Sequence, residues 1–348
     1  MQRPDRGPLR CGGDAQVNDR PIDPWDGRAS GVLCSFRFDA GGARELAEPG
    51  LAPEGRGSWT WTHLGLGDVR AVALLRHLPG LPAEALELFV SGETRIQIAE
   101  EDGWVFGVLP DLERDLSGRP QGSGRLVFAL EGRRLLTGRL HPLLAIDDLR
   151  RAAQTGAGTL SGPAPAMVAH VQFFIDRVEQ LLDDLAQQLA SIEDYVLTEP
   201  QNPRDTGLSA LRRQIARLRR ELQALRTTLA GTLARGRLVK RAQGLSDALA
   251  ELIAAVEDAD RDTGVLQERG RLLHEEIDTL INSATNRSMR ALTIVSTLLI
   301  PPTLVTGAFG MNLKGIPFGD SSGGFAAVIG LCAMVVAAAL FVLRRMGM

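Results

Sequence analysis

The apolar positions follow three spacings along the chain, and each spacing predicts a different architecture. Between residues 31 and 150 they mostly alternate in short runs. "GVLCSFRFDA" and "SWTWTHLGL" read as strands. "TRIQIAEEDGWVFGVLP" reads as two strands around Asp102-Gly103, a favourable hairpin turn, and "GRLVFALEGRRLLTGRL" repeats the pattern around Glu131-Gly132. "DVRAVALLRHL" has helical spacing with Asp68 at its expected N-cap, and "LLAIDDLRRAAQ" reads as a short helix. These elements predict a mixed α/β domain.

From Ala164 the steps lengthen to three and four. Met167, Val171, Phe174, Leu181, Leu185, Ile192 and Val196 form one coiled-coil-like seam. "EPQNPRD" breaks it with two prolines. Leu208, Leu211, Ile215, Leu218, Leu222, Leu225 and Leu229 form a second seam, alternating strictly between three and four. The glycine-containing "GTLARGRLVKRAQG" separates it from a further helical pattern that begins at Leu245. From about Val265 no breaker interrupts the pattern through Leu273, Ile277 and Leu280, so a stalk is expected to enter the apolar sequence beyond.

The third pattern is continuous. Met289–Phe309 carries one charge, Arg290, and Phe325–Leu343 carries none. Each is long enough to cross about 30 Å of hydrocarbon. Arg287 and Arg290 precede the first span, and Arg344 and Arg345 follow the second. The positive-inside tendency then places both termini in the cytoplasm and the hairpin outside. Asn286, Met289, Thr293, Ser296, Ile300, Thr303, Gly307 and Gly310 fall at steps of three and four and make one helical stripe. It holds most of the polar or small side chains of the first span. Such a stripe faces either another helix or a hydrated path. Pro301 and Pro302 sit inside the span and free carbonyls one turn earlier, either as a tolerated kink or toward a hydrated space. Two spans cannot enclose a pore, so a pore here requires several copies around a closed symmetry axis.

Composition adds exclusions. The chain has 348 residues and a net charge of -3, which argues against nucleic acid as a partner. Cys11, Cys34 and Cys332 are scattered, so neither a disulfide framework nor a zinc finger is indicated. The first 30 residues read as a disordered tail and not as a signal peptide. The Gly-x-Gly pairs at 55–57 and 65–67 lack the Lys-Ser/Thr of a phosphate loop, so no nucleotide and no enzyme activity is expected. His274 beside Glu275 and Glu276, and the acidic run at 257–262, are candidate cation contacts, with solvated helix faces as the plainer reading.

Gly310-Met311-Asn312, at the end of the first of two C-terminal spans, resembles the signature of the CorA-type metal-ion transporters. The flanking "TNRSMRALTIVSTLLIPPTLVTGAFGMN" resembles that family's pore helix, with Asn286 at its cytoplasmic end. The resemblance implies a funnel-shaped homopentamer with one central pore. It implies that Gly310 and Asn312 present carbonyl oxygens at the outer mouth and that Met311 packs to hold the turn. It implies that Asn286, Met289, Leu292, Ile300 and Thr303 line the pore, with Met289 and Leu292 as apolar constrictions that gate by dewetting. Thr293, Ser296 and Gly307 join them by the stripe. Gly315-Ile316-Pro317 is similar to the zinc-transporting ZntB branch, whose resemblance implies proton coupling, while Lys314 departs from the zinc and magnesium patterns alike.

The expected fold class is therefore an α+β cytoplasmic domain, long coiled-coil-like helices and two C-terminal transmembrane helices. The expected organisation is a tail over 1–30, a cytoplasmic α/β domain over 31–160 and a long-helix funnel and stalk over 161–288. A pore-lining span over 289–309, a periplasmic loop over 310–324, a second span over 325–343 and a cytoplasmic tail over 344–348 complete it. The expected function is transport of Zn2+ across a bacterial inner membrane. The alternatives are a Mg2+/Co2+ channel and a non-conducting membrane-anchored scaffold or sensor. Lipid and copies of the same chain are the expected partners. No cofactor is expected beyond the transported ion, and no metal ligand is assigned.

Overall fold

The computed structural model describes residues 31–47, 57–115, 117–156, 160–198, 207–235, 245–311 and 323–345. The expected tail at 1–30, the proline break, residues 236–244 and hairpin residues 312–322, Asn312 among them, lie outside the described residues. The elements are β1 (Val32–Asp39), β2 (Gly42–Glu45), β3 (Trp59–Gly65), α1 (Val69–Arg76), α2 (Ala83–Ser91), β4 (Gln97–Glu101), β5 (Trp104–Arg114), β6 (Pro120–Glu131) and β7 (Arg134–Arg139). They continue with α3 (Leu144–Thr155), α4 (Pro163–Thr198), α5 (Leu208–Arg235), α6 (Leu245–Phe309) and α7 (Gly324–Arg345). The chain divides into two compact units: residues 1–183 with 217–263, and residues 184–216 with 264–348.

In the first unit the seven strands form one sheet in the order β2-β1-β3-β7-β6-β5-β4. β3 and β7 run parallel, and every other neighbouring pair is antiparallel. The β4–β5 turn has positive φ at both Asp102 and Gly103, as a two-residue hairpin of this hand requires. The β6–β7 tip is Gly132-Arg133, one residue later than the sequence suggests, and Arg134 closes it on Glu131 at 2.5 Å.

The sheet is buried on both faces. Trp104, Phe106 and Val108 of β5 pack with Leu74 and Leu75 of α1 and Phe89 of α2. Val105 and Leu109 point the other way. They line a small apolar cavity with Phe128, Met167 and Val171 of α4, Leu229 of α5 and Leu249 of α6. This two-sided burial explains why β5 reads as a nearly unbroken apolar run.

Sequence reasoning missed α2 and β2. Pro82 before α2 and a left-handed Gly92 after it were the available signals. Gly231, expected to end a helix, lies inside α5, which runs on to Arg235. One glycine costs about 1 kcal/mol relative to Ala, which a long packed helix absorbs.

A buried polar cluster joins β5, α3 and α4. Leu143 at the N-cap of α3 has no side-chain oxygen, and the carboxylate of Asp111 substitutes from β5. It accepts from the backbone N–H of Leu112 (2.7 Å), Ala145 (2.9 Å) and Ile146 (3.0 Å). Fully buried His170 of α4 places Nδ1 4.0 Å from Asp111 Oδ2, beyond hydrogen-bond range. His63 is also buried, with Nδ1 2.8 Å from the Thr137 hydroxyl, which also accepts from Trp61 Nε1 at 2.8 Å. Burial, reinforced by Arg139 and Arg150, holds His63 well below its usual pKa. Burial pushes His170 down to about 3 and Asp111 up to about 7, the latter against its three backbone donors.

The signs of these shifts oppose. A histidine held low contributes stability above its unfolded pKa near 6.5 and loses it as pH falls toward the folded value. Asp111, held high, loses stability as pH rises from about 4 toward 7. Between these limits two histidines outweigh one acid. The unfolded chain then binds about one extra proton from this cluster, worth about 1.4 kcal/mol per pH unit. We predict that His170→Leu removes this contribution. Urea unfolding of the full chain in detergent between pH 6.5 and 4.5 should lose stability less steeply than wild type, and an unchanged slope contradicts the assignment.

Candidate functional site

The second unit contains the spans. Within it, α6 buries Leu266, Gly270, Leu273 and Ile277, at steps of four, three and four. The steps define one packed face. A Cβ on Gly270 would stand 3.3 Å from Arg212 Cγ of α5, so the helices meet closely there. Arg269 adds a 2.8 Å ion pair to Glu193 of α4.

The cytoplasmic end of the expected stripe lies on the opposite side. At 100° per residue, Asn286 stands about 180° from Ile277 and 140° from Leu273. Neighbouring leucines show the division: Leu273 is 4% exposed and Leu272 is 52% exposed. Val265, Leu272, Thr279, Asn286, Thr293, Ile300 and Gly307 stand at seven-residue steps, so one line runs from the stalk into the span. Sequence reasoning stopped that line at Asn286. It missed Asn282, Thr279 and Glu268, and had Glu275 only as a neighbour of His274, although the heptad step alone was enough to place all four on the line.

From residue 281 to 311 no residue is buried within the chain. Met289, Leu292 and Ile300 are 60, 62 and 64% exposed. Leu292 lies three residues after Met289 and four before Ser296, so it borders the stripe. α7 is similarly bare, with Leu343 its one buried residue. Its 22 residues reach about 33 Å, enough for a hydrocarbon core. Exposed apolar surface on this scale demands lipid or protein around it.

The stripe carries no charged side chain. Thr293 Oγ1 donates to the Met289 carbonyl at 2.9 Å, and Thr303 Oγ1 donates to that of Leu299 at 2.7 Å. A hydroxyl that donates to its own helix turns only acceptor lone pairs outward. Residues 291–311 contain no Asp, Glu, His, Cys, Lys or Arg. α6 continues through Pro301 and Pro302, which leaves the carbonyls of Thr297 and Leu298 without their usual helical donors. Gly310 N–H still bonds to the Thr306 carbonyl at 2.9 Å, so the helical ladder ends at the start of the Gly-Met-Asn turn. Met311 is 52% exposed.

The other cation candidates are already engaged. In the acidic run, Glu257 pairs with Arg226, Asp258 with Arg261 and Asp260 with Arg219. His274 faces Asp278 at 3.7 Å. Among the described residues no three His, Cys, Asp or Glu side chains converge on a metal position. Cys34 is buried, with its thiol pushed up to about 12 by desolvation, which makes it inert.

Two long, bare, apolar helices, the first with an uncharged stripe of hydroxyl and small side chains among apolar ones, have the length and composition of membrane spans. The sequence profile described as "CorA-like Mg2+ transporter protein" matches residues 56–345. The chain belongs to that family, which comprises transporters and not enzymes. It is 30% identical over 289 residues to the divalent cation transporter CmaX of Pseudomonas aeruginosa, covering 82% of this chain and 85% of CmaX. The structure of full-length CmaX superposes with a TM-score of 0.77 at 26% identity, over 92% of this chain and 98% of that one. The zinc transport protein ZntB of Yersinia enterocolitica is 26% identical over 318 residues, 89% of this chain and 92% of ZntB. The CorA magnesium transporter of Methanocaldococcus jannaschii shares the fold, with a TM-score of 0.70 at 18% identity over 90% of this chain and 98% of that one.

The two faces of α6 are directly testable. In a chain with Cys11, Cys34 and Cys332 replaced by Ser, Thr279→Cys should react with a charged maleimide while the protein is folded. Ile277→Cys should react only after unfolding. Equal reactivity of the two contradicts the division.

Proposed function

We propose that this chain is a membrane transporter of divalent metal cations, with the ion passing through a central pore shared by five copies. The observation that carries the reading is the uncharged stripe of the bare span, which begins at Asn286 opposite the packed face of α6. The chain covers one side of the stalk and leaves its other side, and the whole span above, for lipid and further copies. In a homopentamer, Asn286, Met289, Leu292, Thr293, Ser296, Ile300, Thr303 and Gly307 line that axis. Gly310, Met311 and Asn312 form its outer mouth. Both termini stay in the cytoplasm, and the membrane is the bacterial inner membrane.

The chemistry follows from the lining. Mg2+ gives up water reluctantly, and Zn2+ stripped of water prefers nitrogen and sulfur ligands that this path lacks. Neutral oxygens accept hydrogen bonds from the waters of a hydrated ion and leave its inner shell intact. A ring of carboxylates would hold the ion more strongly and release it more slowly. Met289 and Leu292 offer no polar partner, so their rings interrupt the water column when they close.

Zinc is the favoured cargo, with proton coupling as its companion. Gly315-Ile316-Pro317 and the likeness to ZntB support it. The alternative cargo, Mg2+ or Co2+, draws on the family's own description. Uptake of Zn2+, Mg2+ and Co2+ into proteoliposomes, with and without a proton gradient, separates these readings. Zinc uptake that ignores the gradient counts against coupling. Asn312→Ala should lower flux about tenfold or more, since a hydrogen bond to a charged group contributes about 1.5–3 kcal/mol. A wild type that moves no divalent ion leaves the scaffold as the correct reading.

A further inference from the structure

The sheet and its two short helices α1 and α2 border a second cavity, of about 370 Å3, whose lining belongs wholly to the first unit. That is room for roughly twelve waters, and it falls within the range of small-molecule sites. Buried Phe89 of α2, Val127 of β6 and Leu143 before α3 make its floor. Val90 and Leu140 stand at its mouth, 47 and 56% exposed. Two glycines of β6 leave the space in which the Glu113 side chain of β5 lies. A Cβ on Gly124 would overlap Leu143 Cδ2 and come within 2.9 Å of Glu113 Cγ, and one on Gly122 would stand 3.7 Å from Glu113 Oε2.

The charges around this cavity do not balance. All three nitrogens of Arg125, the one Arg or Lys in the lining, are engaged. Nε donates to the Thr94 carbonyl at 2.6 Å, Nη1 to the Gly124 carbonyl at 2.8 Å and Nη2 to Glu221 Oε1 of α5 at 2.8 Å. Glu221 matches its charge. Arg114, beside Glu113, is held by Asp147 at 3.0 Å, and exposed Arg95 lies outside the lining. Glu93 Oε1 accepts the Arg95 backbone N–H at 2.8 Å, which leaves its charge facing the cavity. Half-buried Glu113 has no hydrogen bond or ion pair at its carboxylate among the described residues. The last turn of α2 lines the cavity too and contains no basic residue. Its carbonyl end adds about half a negative charge. His141 stands at the exposed mouth.

We propose that this cavity is a binding site for a small organic cation, a protonated amine carried on an apolar body of roughly ten non-hydrogen atoms. The apolar floor takes the body, and the Glu113 carboxylate, with the α2 carbonyl end beside it, takes the ammonium. An anion of the same shape meets Glu93 and Glu113 and finds Arg125 already engaged. A bare divalent ion finds too few ligands, because no three His, Cys, Asp or Glu side chains converge among the described residues. A hydrated one would set its waters against the apolar floor. Stability does not account for the arrangement. Protein interiors are close-packed, an open space forfeits dispersion contacts, and Glu113 gains no partner from the fold. Every lining residue lies in the first unit, so the proposal stands apart from the pore reading.

The test is isothermal titration calorimetry of the full chain in detergent, with empty micelles as the blank. The probes are phenethylamine and, as the anion of similar size, phenylacetate. Phenethylamine should bind saturably at one site per chain, and phenylacetate about tenfold more weakly or not at all. Glu113→Gln should weaken the amine about fivefold or more. Ser91→Trp, a substitution at the exposed rim, should close the mouth and abolish binding. Millimolar Mg2+ should leave the amine in place. The comparison of the two probes on wild type needs no variant, so it decides the matter even if Glu113→Gln fails to fold. Absence of saturable amine binding by wild type overturns the proposal. So does phenylacetate that binds as tightly as the amine, a folded Glu113→Gln chain with unchanged affinity, or displacement of the amine by Mg2+.

Discussion

Everything distinctive about this chain depends on the one-sided packing of α6. Leu266, Gly270, Leu273 and Ile277 fix the helix against α4 and α5. Because an α-helix repeats every 3.6 residues, fixing one side also fixes the direction in which the other side points. Glu268, Glu275, Thr279 and Asn282 then share a line with Asn286, Thr293 and Ile300. No rotation of α6 can return that line to the chain's own core without exposing the packed leucines.

That constraint makes sense of chemistry that looks sparse residue by residue. The span has no titratable side chain after Arg290. The Thr293 and Thr303 hydroxyls are turned into acceptors by their own helix, and its prolines free two more carbonyls. An environment of acceptors suits a cation that keeps its water, because the water supplies the donors. The path as proposed holds ions loosely throughout.

Much of this was legible in the sequence. The heptad steps of α4 to α6, the Asp102-Gly103 turn and the two apolar spans all register as periodicity or turn chemistry. What was not legible has physical reasons. α2 is short and half-buried, so its apolar positions give a weak period. The capping of α3 by Asp111 joins residues more than 30 positions apart, and His170 meets them from a third element. Such contacts are properties of the folded sheet and leave no local pattern. The packed and free faces of α6 were different. Both periods were in the sequence, but only burial tells which one faces the chain's own helices.

A free face on α6 that lines a pore must be completed by other copies of the chain. Native mass spectrometry of the full-length protein, extracted in detergent, tests it most directly. A closed assembly of five chains is expected, about five times the 37.5 kDa of one. A monomer or dimer under conditions that preserve the fold would leave the stripe without a lumen and contradict the account.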